Sequence, residues 1–169
     1  MPVREIVQFP DARLQTPASA VARFDADLRR VADELAGTLA ALSAIGVTGP
    51  HVGAPVRLYV LRLPDWPAPR LYANARIASA SADTQTHREG SVSMPGIVED
   101  VERAARVCVE YQDLDGNAHA EEADGFLAAC HQHEIDQLDG IFWLQRVSRL
   151  RRERAIKRFR KLRSERSLE

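Results

Sequence analysis

The chain has 169 residues, of which 45% are hydrophobic, and a formal net charge of −1. This size and composition are typical of one globular domain and exclude collagen-like and disordered proteins. No run of about 18 apolar residues is present to span a bilayer, and the start, MPVREIVQFPD, lacks the residue order of a signal peptide. We therefore expect a cytoplasmic protein without a membrane segment.

The first predicted element is an amphipathic helix in residues 24–46, FDADLRRVADELAGTLAALSAIG. Its leucine and valine residues recur at steps of three and four positions, with Asp25 as the N-cap and an end near Gly46. Two short runs typical of strands follow, RLYVLRL in residues 57–63 and RLYANARI in residues 70–77, with a proline-rich segment between them. We predict a strand for each run.

A β-hairpin is predicted after a polar stretch. In residues 103–114, RAARVCVEYQDL, apolar side chains alternate with polar ones at the period of a strand. Asp115 and Gly116 then form a typical turn pair, which sends the chain back through residues 118–123.

Two further helices are predicted towards the C-terminus. From Ala123, the segment ADGFLAACHQHEIDQL has apolar residues at helical spacing and ends at an Asp-Gly pair. The tail, residues 148–167, contains no Gly or Pro and favours a helix. This order of elements predicts an α+β fold. We expect residues 1–147 to form the domain body and residues 148–169 to be a basic C-terminal helix of the same domain.

Charge is distributed unevenly along the chain. Residues 146–169 contain 11 of the 23 basic residues and 3 of the 24 acidic residues. An acidic body therefore carries a basic tail. Such a tail is either a solvated helix or an electrostatic contact to the phosphates of RNA, and the charge pattern leaves both interpretations open.

The segment CHQHEIDQLDG, residues 130–140, carries the clearest chemical pattern. In an H-E-x-x-H motif, two histidines four residues apart bind a metal from one helix face, and the glutamate moves protons. His133 and Glu134 match this motif, but position 137 is glutamine. His131 is no substitute, because it projects about 200° around the helix from His133. We expect His131 to be a surface or partly buried polar residue.

Three segments together resemble the signature motifs of the peptide deformylases. They are IGVTGPHVGAP (45–55), EGSVSMPG (89–96) and QHEIDQLDG (132–140), which are similar in order and spacing to G-x-G-L-A-A-P-Q, E-G-C-L-S and Q-H-E-x-D-H-L. On this basis the chain is identified as a member of that family. The resemblance implies antiparallel strands around a central helix of the H-E-x-x-H type, with further helices at the N- and C-terminal ends.

The resemblance also implies an activity. Peptide deformylases hydrolyse the N-formyl group from the formylmethionine of nascent proteins, in bacterial-type protein biosynthesis, with Fe, Zn, Ni or Co as the metal. A cysteine and two histidines hold the metal, and a glutamate transfers protons. A glutamine and a backbone N–H stabilise the oxyanion. In this chain the resemblance carries those roles to His133 as a metal ligand, Glu134 as the acid/base residue and Val92 as the oxyanion N–H.

Three positions depart from the family pattern. Ser91 occupies the cysteine position, Gln137 the second histidine position and His51 the glutamine position. A serine hydroxyl keeps its proton and is a much weaker ligand than a thiolate. A glutamine amide oxygen suits Ca²⁺ or Mg²⁺ better than zinc or iron. We therefore predict either no metal or an atypical divalent metal.

Two residues of this altered site have more than one interpretation. His51 is a replacement metal ligand beside His133, an oxyanion donor, or a side chain that fills space. Glu134 performs acid/base chemistry, or it is a buried, hydrogen-bonded remnant of the motif.

The segments around the glycines of the first two motifs predict a groove for substrate. In the family, such segments bind an extended peptide by main-chain hydrogen bonds. The corresponding residues here are Gly46, Val47, Gly90 and Val92. Alternatively, these residues only preserve the fold.

These observations predict a deformylase homologue with a degenerate metal site and weak or no deformylase activity, in other words a candidate pseudoenzyme. The sequence leaves open whether binding of a formyl-peptide or nascent chain, or of the ribosome through the basic helix, is retained. The alternative is an active metallohydrolase on N-formyl or N-acyl peptides, with an atypical metal held by His51 and His133.

Overall fold

The computed structural model describes residues 2–167. Within that range the chain forms three α-helices and seven β-strands. The helices are α1 (Ala26–Leu42), α2 (Gly125–Leu138) and α3 (Arg149–Arg166). The strands are β1 (Gly46–Thr48), β2 (Leu58–Leu61), β3 (Arg70–Ala80), β4 (Thr84–Glu89), β5 (Glu99–Ala104), β6 (Arg106–Gln112) and β7 (Ala118–Asp124).

All paired strands are antiparallel, and they form two sheets. The larger sheet has the order β1-β2-β3-β6-β7, and the smaller one pairs β4 with β5. The predicted α+β fold is confirmed.

The larger sheet lies between helices α1 and α2. Strand β2 shows this, because all four of its residues are buried. Tyr59 and Leu61 pack in the same apolar cluster as Ile135 of α2, whereas Leu58 and Val60 pack in the cluster that contains the leucines of α1. Since successive side chains of a strand point to opposite faces, the sheet buries both of its faces here. Helix α2 is thereby enclosed, and its polar residues lie in the interior.

Helix α1 begins where the sequence predicted. The Asp25 side chain accepts hydrogen bonds from the N–H groups of Asp27 and Leu28, so the predicted N-cap is confirmed. The predicted end near Gly46 is wrong. Ser43 adopts a left-handed conformation with φ of 50° and closes the helix after Leu42, and Gly46 begins strand β1.

The three strands predicted from residue pattern are confirmed as β2, β3 and β6. The return strand predicted from the Asp-Gly turn is confirmed as β7, with the expected turn between β6 and β7. Strands β4 and β5 were not predicted. Their sequences, TQTHRE and EDVERA, are mostly polar, and most of their residues are exposed or partly buried. A sheet that buries so little of its surface leaves no hydrophobic alternation in the sequence.

Helix α3 confirms the helix predicted for the tail. Its residues Ala155 and Phe159 are buried, and Phe159 packs in one cluster with Met94 and Ile97. Leu150, near the start of α3, is 57% exposed. Helix α3 thus packs against the loop between β4 and β5. In the part of the chain that the structure describes, no helix has the length and apolar character needed to cross a membrane.

Candidate functional site

A cavity of about 460 Å³ lies between β1, the loop after β4 and helix α2. It brings together seven of the nine residues that the sequence singled out for the site. Val47 and Gln137 do not line it. The seven residues that line the cavity are Gly46, His51, Gly90, Ser91, Val92, His133 and Glu134.

His133 is fixed by a buried hydrogen bond to Glu89. The two groups are 2.7 Å apart, from Nδ1 to Oε1, and Glu89 also accepts two hydrogen bonds from Arg103 at 2.8 Å each. Burial raises the pKa of Glu89, but the hydrogen bonds from Arg103 and His133 outweigh it and hold this pKa at about 2. Because Glu89 is ionised, Nδ1 of His133 donates to it. The other ring nitrogen, Nε2, is left for the cavity.

Glu89 and Arg103 belong to a buried ionic chain that extends through Asp136 of α2 to Arg146. Arg103 Nη1 donates to Asp136 Oδ2 at 2.5 Å, and Arg146 donates two hydrogen bonds to Asp136 at 2.6 and 2.8 Å. Arg103 and Asp136 are both buried, so each compensates the other's charge. None of these four residues, Glu89, Arg103, Asp136 and Arg146, was predicted from the sequence to belong to the site. The available signals were the acid that opens EGSVS and the first of the two arginines in the segment VERAARV.

Glu134 also lines the cavity, but its pKa is raised whereas that of Glu89 is lowered. Its side chain is buried, and Oε2 has no hydrogen-bond partner within residues 2–167. Burial raises the pKa of Glu134 to about 7 against the opposing charge of His133. Oε1 lies so close to β1 that a Cβ on Gly46 would be 2.1 Å from it. Only glycine leaves room for the carboxyl group at this position.

His51 is a neutral hydrogen-bond donor towards the cavity. Its Nδ1 accepts from the Thr48 backbone N–H at 3.1 Å, and a neutral imidazole that accepts at Nδ1 carries its hydrogen on Nε2. Burial, with a smaller contribution from the charge of His133, lowers the pKa of His51 to about 3. Nε2 is buried, and no described residue accepts a hydrogen bond from it.

The two remaining replacements also have other partners. Ser91 Oγ accepts a hydrogen bond from the Ser93 N–H at 3.1 Å. Gln137 Nε2 donates to the carbonyl oxygen of Leu14 at 2.7 Å, and this side chain is buried outside the cavity.

His131 is fully buried, so the prediction of a surface or partly buried residue was wrong. Its Nδ1 lies 2.7 Å from the hydroxyl of Tyr59, and its ring packs edge-on against Tyr72. The reason is that α2 contacts the sheet on the face opposite His133.

The sequence model of the polypeptide deformylase family matches residues 3–153. The chain belongs to this family.

Several deformylase relatives are similar over nearly their whole length. A protein named "Peptide deformylase-like" from Brucella melitensis is 56% identical over 96% of this chain and 99% of its own. A protein with the same name from Bradyrhizobium diazoefficiens is 50% identical over 96% and 95%. A "Peptide deformylase" from Nitrobacter hamburgensis is 37% identical over 95% and 96%.

Solved deformylase structures share the fold. A peptide deformylase from Legionella pneumophila superposes with a TM-score of 0.93, with 29% identity and 99% of each chain covered. A peptide deformylase from Ehrlichia chaffeensis in complex with actinonin gives a TM-score of 0.90, with 32% identity over 95% of this chain and 98% of that one.

The residues of this chain do not fit the metal centre that the deformylase family implies. His133 offers Nε2, but His51 carries a hydrogen on Nε2 and has no lone pair there to give to a metal. Ser91 is a weak ligand by chemistry, and Gln137 is turned to Leu14. Across residues 2–167, no three His, Cys, Asp or Glu side chains are grouped to hold a metal ion. Of the interpretations of His51, the geometry favours that of a donor.

Proposed function

We propose that this deformylase homologue binds the N-terminal residues of peptides and does not hydrolyse them. One observation carries the proposal. The cavity contains a buried donor, His51 Nε2–H, and a buried carboxyl oxygen, Glu134 Oε2, and neither has a partner within residues 2–167. Buried polar groups are costly without partners, and a ligand that supplies both would be stabilised. The proposal places the protein in the cytoplasm, where nascent chains emerge.

An edge of the larger sheet supports peptide binding beside these two groups. The Arg62 N–H donates to the carbonyl oxygen of Ile45, and Val47 lies opposite Val60. Since hydrogen-bonded pairs alternate in an antiparallel ladder, the N–H and C=O of Gly46 point away from β2. Gly46 lines the cavity, so an extended peptide can pair with its backbone.

The rim of the cavity is suited to an apolar first side chain. Leu42 at the end of α1 and Phe126 at the start of α2 both line the cavity, and they are 47% and 44% exposed. Large apolar side chains that remain exposed beside a cavity are typical of a binding surface.

Hydrolysis is not expected from the groups that face the cavity. Glu134 and His133 can exchange protons, but attack on an amide near neutral pH needs a stronger activation of water than a carboxylate and an imidazole supply. Because His51, Ser91 and Gln137 do not fit as metal ligands, no described residue around the cavity provides this activation.

The proposal is tested with a short Met-Ala-Ser peptide, with and without an N-formyl group. Calorimetry measures binding, and the release of free amine from the formyl peptide measures hydrolysis. We expect at least one form to bind and no amine release above the uncatalysed rate. Absence of binding by either form overturns the proposal. Amine release that requires added Fe, Zn, Ni or Co also overturns it, and supports an active metallohydrolase.

A second candidate partner is RNA, including that of the ribosome, through helix α3. Arg154, Lys157, Arg158 and Lys161 are exposed, and in residues 2–167 no ion pair involves them. Their spacing places them on neighbouring turns of one helix face. Unpaired basic side chains in such a row can contact successive phosphates.

A further inference from the structure

We infer that the cavity recognises a free α-ammonium group, so its ligand is the unformylated N-terminus of a peptide with an apolar first side chain. This inference rests on the proposed function, namely that peptide N-termini bind in the cavity. It adds that the terminal nitrogen of the bound peptide is a free ammonium group and is not formylated.

Hydrogen bonds are distributed unevenly among the buried acids near the cavity. Glu89 accepts three hydrogen bonds, two from Arg103 and one from His133. Asp136 accepts three as well, from Arg103 and Arg146. Glu134 lines the cavity and accepts none at Oε2 from any described residue. It is therefore the buried acid beside the cavity that keeps an oxygen without a donor, and the ammonium of a ligand can supply that donor.

The N-terminal residue of a peptide offers one donor and one acceptor, as the two unpartnered groups of the cavity require. An N-terminal amino acid carries an ammonium donor and, two bonds further on, a carbonyl acceptor. The ammonium can donate to Glu134 Oε2, and the carbonyl oxygen can accept from His51 Nε2–H. Both buried groups are then satisfied by a single residue.

An ammonium and a formamide differ in the number and charge of the N–H donors that they offer to Glu134. A formyl group replaces three charged N–H donors by one neutral N–H. Hydrogen bonds between ionised partners are about twice as strong as those between neutral ones. A formylated terminus would therefore leave the Glu134 carboxyl group with a weaker partner.

The test compares three peptides with amidated C-termini, so that they differ only at the first nitrogen. They are Met-Ala-Ser, its N-formyl form, and an analogue in which hydrogen replaces the α-amino group. We expect calorimetry to show that the free amine binds at least about tenfold more tightly than the other two. A blocked peptide that carries a lysine side chain tests whether any ammonium suffices, and we expect it to bind as weakly as the formyl form.

Two variants connect the preference to Glu134. Glu134→Gln keeps the size of the side chain and removes its charge, and we expect it to lose the preference for the free amine. Glu102→Gln is the matched control, since Glu102 is exposed on β5 and does not line the cavity. We expect it to keep the preference. A thermal melt shows whether each variant is folded, and if Glu134→Gln is unfolded, the peptide comparison on the unaltered protein decides.

The outcomes separate this inference from the proposed function. Equal or tighter binding of the formyl peptide overturns the inference and leaves peptide binding intact. Binding of none of the peptides overturns both. A preference for the free amine that survives in folded Glu134→Gln overturns the inference, because another group would then recognise the ammonium.

Discussion

Thr48 and His51 hold each other through two hydrogen bonds at the start of a short 3-10 helix. The Thr48 N–H donates to His51 Nδ1 at 3.1 Å, and Thr48 Oγ1 accepts from the His51 N–H at 3.4 Å. This reciprocal pair fixes the tautomer of His51, since a backbone N–H can only donate. The residue that replaces the family's glutamine is thereby also a neutral N–H donor.

Peptide binding is expected to depend on the donor at position 51 and not on the imidazole itself. Removing the donor with His51→Leu should weaken binding of Met-Ala-Ser by about tenfold, equivalent to one hydrogen bond of roughly 1.4 kcal/mol. His51→Gln supplies another N–H donor and should bind within a few-fold of the unaltered protein. Calorimetry checks both. Equal loss in the two variants would contradict the assigned role.

The buried ionic chain is expected to dominate the stability of the site. Arg103→Gln leaves Glu89 and Asp136 buried with fewer partners, and should lower the free energy of unfolding by about 3–5 kcal/mol. Arg106→Gln is the matched control. Its ion pair with Asp83 at 2.9 Å is exposed, so the expected loss is at most about 1 kcal/mol. Urea denaturation of both variants measures the difference, and similar losses would refute the assignment.

Stability should fall as the pH decreases below 6.5, in part through His131. Burial lowers the pKa of His131 from its ordinary value of 6.5 to about 4, with a smaller effect from the charge of Arg70. Between these values the unfolded chain binds a proton that the folded chain does not, so the loss grows through that window and stops below it. At pH 5 it should reach about 2 kcal/mol for this residue.

The variant His131→Gln isolates that contribution. Between pH 7.5 and pH 5 it should lose about 2 kcal/mol less free energy of unfolding than the unaltered protein. His51, also buried with a lowered pKa, titrates in the same direction and is present in both proteins. Identical pH dependence of the two would mean that folding does not lower the pKa of His131.

Helix α3 should bind RNA with a salt dependence set by its exposed basic face. Neutralising Arg158 and Lys161 to glutamine should weaken binding to a ribosomal RNA fragment. It should also reduce the slope of log affinity against log salt by about 1 to 2. The control Arg76→Gln with Arg106→Gln removes the same charge from the sheet, where both arginines are ion-paired. A slope that changes equally in both doubles would show that only the overall charge matters.

Much of the scaffold could be predicted from the sequence because it depends on local pattern. The apolar periodicity of α1 and α2, the Asp25 cap and the Asp-Gly turn each act over a few residues, and all are present in the structure. Seven of the nine residues that the resemblance assigned to the site line one cavity, and their roles stay predictions.

The state of the site depended on contacts that are distant in sequence. Gln137 is turned by the carbonyl of Leu14, 123 residues away, and His133 is held by Glu89, 44 residues away. The buried position of His131 follows from the packing of α2 against Tyr59 and Tyr72. The local sequence pattern does not predict contacts between residues so far apart. For the same reason, the role of His51 could not be decided from the sequence.

The central claim is that these residues no longer hold a catalytic metal. Elemental analysis of untagged protein, purified anaerobically without chelators near neutral pH, tests it most directly. The triple variant Ser91→Cys, Gln137→His and His51→Gln, which restores the family's residues, is the positive control. We predict no stoichiometric Fe, Zn, Ni or Co in the unaltered protein and recovery of metal in the triple variant. About one metal ion per unaltered chain, the occupancy of a working site, would contradict the account.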